Sequence, residues 1–260
     1  MRIELDKERQ KRLTQRYWRL IRTAFVKCRQ GVVDMSEHTD PGRLKVHVST
    51  LMNPKPMKEL ILQLWSEVGG EVGQYIEVLL TTRKSKSIIL ETKAPKKSDW
   101  NDKMKIYASE RSLKKVESIM TTEQEAINKV IDSVIQESLD EGLGIIDTRR
   151  LLTRDLEGEE MLSMENWQAQ RIAMTEVGSA QNTASFMAAQ ENSEGVKKLW
   201  MFIPGLKTFR EEHKQYEEDG PQDMDYDYDT VDGGLQYPGD PDGTAEQVIN
   251  CYCSIGYEVD

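Results

Sequence analysis

Apolar residues recur at helical spacing over most of the first 190 positions. Leu13, Tyr17, Leu20/Ile21 and Phe25 sit three to four apart between basic residues, which predicts an amphipathic helix over about 5–30 ending near Gly31. Residues 32–56 carry Pro41, Gly42, Asn53, Pro54 and Pro56 and read as mostly loop, with a short extended piece around Leu44–Val48. Leu60, Ile61, Leu64, Trp65, Val68, Val72, Ile76 and Leu79 then line one face of a helix over Met57–Leu80, with Gly69-Gly70 as a bend or packing point. Thr81–Lys97 is basic and polar around Ile88-Ile89-Leu90 and reads as a linker. The helical pattern resumes at Asp99 through Met104, Ile106, Tyr107, Leu113, Val116 and Ile119. Thr121-Thr122 is expected to break it and cap a further helix, Glu123–Glu141, which Gly142–Gly144 stops. Asp147-Thr148 can cap a short helix through Leu152, and Ser163 or Met164 opens another running through Ala189.

Beyond Gly195 the period changes. Val196–Ile203 is a strand-like apolar run ended by Pro204, and Gln247–Tyr257 reads as a second one. Between them, 217–243 is acidic and rich in Gly and Pro, the composition of a long surface loop. The fold class expected is a mainly α N-terminal body with a small α+β C-terminal domain. Its segments are a basic helix and helical region over 1–100, a helical lead-in over 101–192, and the α+β unit over 193–260.

Composition narrows the function classes. The 260 residues are 38% hydrophobic and 31% charged, with no apolar run of the ~18 residues needed to span a bilayer. The N-terminus offers no apolar stretch after its basic residues, so neither a membrane role nor a secretory signal is expected. Three cysteines, two of them one residue apart, make no disulfide framework, and reduced thiols are expected. The net charge of −10 conceals a dipole. Residues 1–31 hold ten Lys/Arg against three acids, whereas 204–260 hold three against fifteen. Arg9, Lys11, Arg12, Arg16 and Arg19 could therefore dock on an acidic partner or on nucleic acid, while the acidic end repels phosphate backbones.

Candidate chemistry gathers near the C-terminus. His213, Cys251 and Cys253 offer three metal ligands, and a closed structural zinc site takes four. Asp219, Asp240, His38 or His47 could supply the fourth. The competing reading makes the cysteines small buried hydrophobes of an edge strand and His213 a hydrogen-bonded loop residue. Asp223, Asp225, Asp227 and Asp229 alternate as in a calcium loop, yet no starting point gives both the glycine at the sixth position and the glutamate at the twelfth. Arg171 and Glu176 lie five apart and so do not face each other along a helix; an ion pair to the C-terminal unit is expected of them. Trp200 reads as a core anchor. Cys251 or Cys253 as a nucleophile would need His213 as base, and no Asn or Asp is spaced to orient that histidine.

The order of these parts carries a resemblance. Arg171-Ile-Ala-Met-Thr-Glu176 followed by Asn182, the Lys-Lys-x-Trp200 strand, Arg210-x-x-His213, Tyr237-Pro-Gly-Asp-Pro241 and Val248-Ile-Asn250-Cys-Tyr-Cys253 resembles the Mu F-like phage head morphogenesis family of minor capsid proteins, over about 110–260. Gly142-Leu-Gly144 and Thr148-x-x-Leu151-Leu152 fit that family's helical lead-in. Members usually carry an Asp and a second Arg soon after the Trp, and an Arg between the last cysteines. This chain has Gly205-Leu-Lys207, one extra residue before Arg210, and Tyr252. Those departures count against a retained catalytic constellation and leave a structural role intact. The resemblance implies a virion protein assembled in the host cytoplasm, in low copy number near the capsid vertex. It would contact the portal and other head proteins, act in head assembly or DNA packaging and delivery, and work by binding instead of catalysis. With that implied role the basic helix would meet the portal or packaged DNA.

Two other classes compete. One is a toxin-like transferase or metal-dependent hydrolase built on Arg210, His213 and the Cys pair, although the seven residues after Cys253 leave no room for an appended effector. The other is a DNA-binding module working through the basic helix.

Overall fold

A computed structural model describes residues 2–84, 96–203, 210–230 and 233–259. The observed class is a mainly α body with a small α+β C-terminal region. The helices are α1 (Lys7–Ser36), α2 (Pro41–Leu51), α3 (Lys55–Leu64), α4 (Gly70–Lys84), α5 (Lys97–Glu141), α6 (Ile145–Glu157), α7 (Glu159–Gln190), α8 (Glu211–Glu218) and the short α9 (Ala245–Val248). The strands are β1 (Arg2–Ile3), β2 (Val196–Met201), β3 (Tyr228–Thr230), β4 (Gly233–Leu235) and β5 (Ser254–Val259). No helix among the described residues is long and apolar enough to cross a membrane. Most of the Thr81–Lys97 linker expectation, 85–95, lies outside the described residues; its first residues continue α4 and Lys97 opens α5.

Several boundaries differ from the sequence expectation, each for a physical reason. Helix α1 runs on to Ser36, because Gly31 is a packing glycine within it: a Cβ there would lie 2.5 Å from the Leu51 carbonyl oxygen. Residues 41–51, expected as loop with an extended piece at Leu44–Val48, are helical. Asp40 is the N-cap, its carboxylate accepting from the Gly42 and Arg43 amides, and Pro41 stands in the first turn, where its missing N–H costs nothing. The Asn53 side chain likewise accepts from the Lys55 amide at the start of α3. Thr121-Thr122 breaks nothing, since both hydroxyls donate back to the carbonyls four residues earlier, Glu117 and Ser118, and α5 is one helix of 45 residues. The bend at Gly69-Gly70 is a π-helical turn, Trp65–Gly69. Gly142, with φ of 66°, ends α5 as expected. Helix α6 is capped by Gly144 and not by Asp147-Thr148, and α7 opens at Glu159, ahead of Ser163.

The chain divides into two compact units. The first holds 1–17, 62–110 and 171–260; the second holds 18–61 and 111–170.

In the second unit, Ile21, Phe25, Cys28, Val32, Leu44, Met57, Ile127, Ile131, Leu152 and Met161 are fully buried. Charges lie among them. Arg29 pairs with Glu165, both buried, and Glu123 is fully buried with no hydrogen-bond partner for either carboxylate oxygen. Burial lifts the Glu123 carboxyl to about 7, against the opposing pull of the Arg29 charge.

In the first unit, a three-stranded antiparallel sheet has the order β1-β5-β2. Trp200 faces Ile255 across β2 and β5, and Ile3 faces Tyr257 across β1 and β5. The second expected strand is much shorter than Gln247–Tyr257, since 245–248 is a helical turn and β5 begins only at Ser254. The acidic 217–243 stretch is not wholly surface loop: β3 and β4 form a hairpin, and Tyr228, Leu235 and Tyr237 are buried. Residues 175–186 of α7 are buried on every side, and small side chains such as Ser179, Ala180, Ala184 and Ser185 let neighbours approach closely. Ser185 and Tyr257 share a hydrogen bond of 3.0 Å between α7 and β5.

Candidate functional site

Asn182 fastens the motif helix to the C-terminal chain. Its Nδ2 donates to the carbonyls of Pro238 (2.9 Å) and Cys253 (3.1 Å), and its Oδ1 accepts from the Ile255 amide (3.1 Å). One buried side chain thus holds the Tyr237-Pro-Gly-Asp-Pro241 turn and the Cys pair at once. Glu176, six residues earlier on α7, accepts from Trp65 Nε1 at 2.8 Å. That bond runs to the π-helical turn. Arg171 lies half-buried on α7.

Trp200 is the centre of an aromatic cage. Its ring meets His213 at 4.8 Å, Tyr228 at 4.9 Å and Tyr216 at 5.0 Å, all nearly edge-on. His213 and Tyr216 reach it together because they stand three apart on α8. Within this cage Trp200 Nε1 and Tyr228 Oη are buried and have no hydrogen-bond partner. Lys198, two residues before Trp200 on β2, is also fully buried; its amine donates to the carbonyls of Met224 (3.1 Å), Tyr226 (2.5 Å) and Gln236 (2.9 Å). It pins the β3–β4 hairpin to the sheet, and burial draws its amine down to about 8.

Arg210 precedes α8 and donates to the carbonyls of Glu246 (2.6 Å) and Ile249 (2.9 Å), holding the C-terminal end of α9. Asn250 follows with φ of 58°, a left-handed conformation that asparagine tolerates and branched residues do not. Its amide donates to Thr175 Oγ1 of α7. Asn250 therefore makes the bend that aims the Cys pair inward. Asn250→Gly is expected to leave thermal stability within about 0.5 kcal/mol of the parent, while Asn250→Val costs about 2 kcal/mol; equal losses in the two variants would assign the residue a side-chain role instead.

Cys251 and Cys253 lie in the turn just before β5, the central strand, and not in an edge strand. Both are buried and free. Both sulfurs face one nitrogen: His213 Nδ1 is 3.5 Å from Cys251 Sγ and 3.7 Å from Cys253 Sγ. The opposite nitrogen, Nε2, lies 3.0 Å from Gln247 Oε1, and the Gln247 amide donates to Glu212 at 3.1 Å. Gln247 is thus the orienting residue that spacing alone did not reveal. The hydrogen bond from Cys251, with His213 beside it, draws the Cys253 thiol down, while Cys253 and burial push Cys251 well up.

His213, Cys251 and Cys253 form the metal-ligating group among the described residues, their donor atoms within 4.8 Å of one another. None of the suggested fourth ligands is grouped with them among the described residues. Asp219 accepts from Gln215, and Asp240 accepts the Gln236 and Asp242 amides of its own turn. On the basic helix, Arg9 pairs with Glu71 at 2.5 Å and Arg16 with Glu67 at 3.0 Å, so these two are engaged within the first unit; Lys11, Arg12 and Arg19 are exposed. A groove of about 460 Å³ lies beside β2, lined by Gln190, Ser193, Lys197, Asp223 and Asp225 among others; Lys197 is the motif residue at its edge, while Asn182, Trp200, Arg210, His213 and the Cys pair line none of it.

Searches against protein-family models, curated proteins and solved structures found no match to the chain.

Proposed function

We propose that this chain is a phage head morphogenesis protein of the Mu F-like type, a minor capsid component that binds the portal and acts as scaffold and not as catalyst. The observation that supports a scaffold role is the fate of the motif. Asn182, Trp200, Arg210, His213, Asn250 and the Cys pair are spent on one another and on backbone groups, and the open groove is lined by other residues. A nucleophilic enzyme needs the opposite, a thiolate open to its substrate; here Cys251, Cys253 and His213 are each less than a tenth exposed.

The basic helix is the proposed docking element, with the exposed Lys11 and Arg12 of the first unit among its cations. Co-expression with the cognate portal protein tests this: the chain should co-purify with it at low salt, and Lys11→Glu/Arg12→Glu should weaken capture about tenfold. Full capture by that variant would remove the helix from the interface, and no capture by the parent chain would remove the portal as direct partner. If retention instead follows DNA, with a steep salt dependence, the DNA-binding class takes precedence.

A further inference from the structure

We infer that His213, Cys251 and Cys253 bind one zinc ion, which ties α8 to the turn before β5. Distances already fit the ion. Zinc bonds of roughly 2.3 Å to sulfur and 2.0–2.1 Å to nitrogen in a tetrahedron put the sulfur and nitrogen about 3.6 Å apart. The two sulfur–nitrogen distances here are 3.5 and 3.7 Å.

The tautomer fits as well. Because the Gln247 amide nitrogen donates to Glu212, its oxygen is the atom turned toward His213, so Nε2 must carry the proton. Nδ1 then presents its lone pair to the sulfurs. This chain of histidine, glutamine and glutamate is the outer support that metal-bound histidines use to fix the ring. A metal would take that lone pair and both sulfurs at once.

A backbone N–H lies against each sulfur. Cys251 accepts a backbone hydrogen bond from Cys253, and Cys253 accepts one from Ile203. Two thiolates and an imidazole select a borderline-soft ion such as zinc over magnesium or calcium. Water takes the fourth position.

The site stands apart from the head-assembly proposal: a chain that binds zinc yet stays out of heads would sink only the latter. The test equilibrates the full chain in a zinc buffer, removes loose metal on a desalting column and measures metal by elemental analysis. About one zinc per chain is expected in the parent and in Cys28→Ser, and at least tenfold less in Cys251→Ser/Cys253→Ser. Cobalt in place of zinc should give a thiolate-to-cobalt charge-transfer band and the visible bands of a tetrahedral ion. If the double variant does not fold, Gln247→Ala decides, since it keeps all three ligands and should weaken zinc about 10–100-fold. A folded parent chain that takes up neither zinc nor cobalt overturns the site. So does zinc that remains in the double variant, or an affinity unmoved by Gln247→Ala.

Discussion

Replacing Asn182 by alanine is expected to destabilise the first compact unit by about 4 kcal/mol, among the largest effects of any single change in the chain. The size follows from what is left behind. Alanine orphans the carbonyls of Pro238 and Cys253 and the amide of Ile255, all at buried positions along α7. Each buried group without a partner costs about 1–3 kcal/mol. Asn182→Asp should be no better, because a carboxylate keeps the acceptor for Ile255 but turns a negative oxygen toward two carbonyls. Urea unfolding followed by hydrogen exchange in β5 measures both. A loss below about 1 kcal/mol for either variant would show that the clamp is dispensable.

The second large effect is a pH dependence in the second unit. Glu123 ionises near 4.5 in an unfolded chain and near 7 when buried. The folded state therefore holds the proton more tightly, so the stabilisation is complete below about 4.5 and is lost as pH rises through 7. The span corresponds to about 3 kcal/mol. Arg29 does not cancel it, because that guanidinium is already paired with Glu165, leaving two buried carboxyls for one buried cation. Hydrogen exchange in 115–135 of α5 should be faster at pH 8 than at pH 5 by more than intrinsic exchange chemistry accounts for, and Glu123→Gln should remove that excess. A variant with the parent's pH profile would place the titration elsewhere.

The sequence pattern was most legible where burial is one-sided. Tyr17, Ile21 and Phe25 show their stripe because the opposite face of α1 carries charge, and all three are buried. Residues 175–186 of α7 show no stripe because every face is covered, so the motif and not the periodicity marked that helix. Pro41 was misread because the same residue that ends a helix also opens one when an aspartate precedes it. Strand β1 is two residues long and exists through its pairing with β5, which no local pattern encodes.

The site divides in the same way. Its ligands were visible as residue types of rare occurrence in this chain, and Trp200 as an anchor. Lys198 was missed although strand alternation puts it on the Trp200 face; a lysine there passes for a surface residue until its three carbonyl partners are seen. Gln247 had no sequence signal at all, because it reaches His213 through the placement of α9 against α8, held by Arg210.

Whether this chain is a head component is tested most directly by counting it in particles. Heads assembled in cells that carry the cognate head genes, purified on a density gradient and quantified by mass spectrometry, should contain the chain in a low, fixed ratio to the portal. Heads made with Asn182→Ala, which breaks the scaffold, should lack it. Heads that are complete, filled with DNA and free of the chain would contradict the proposal.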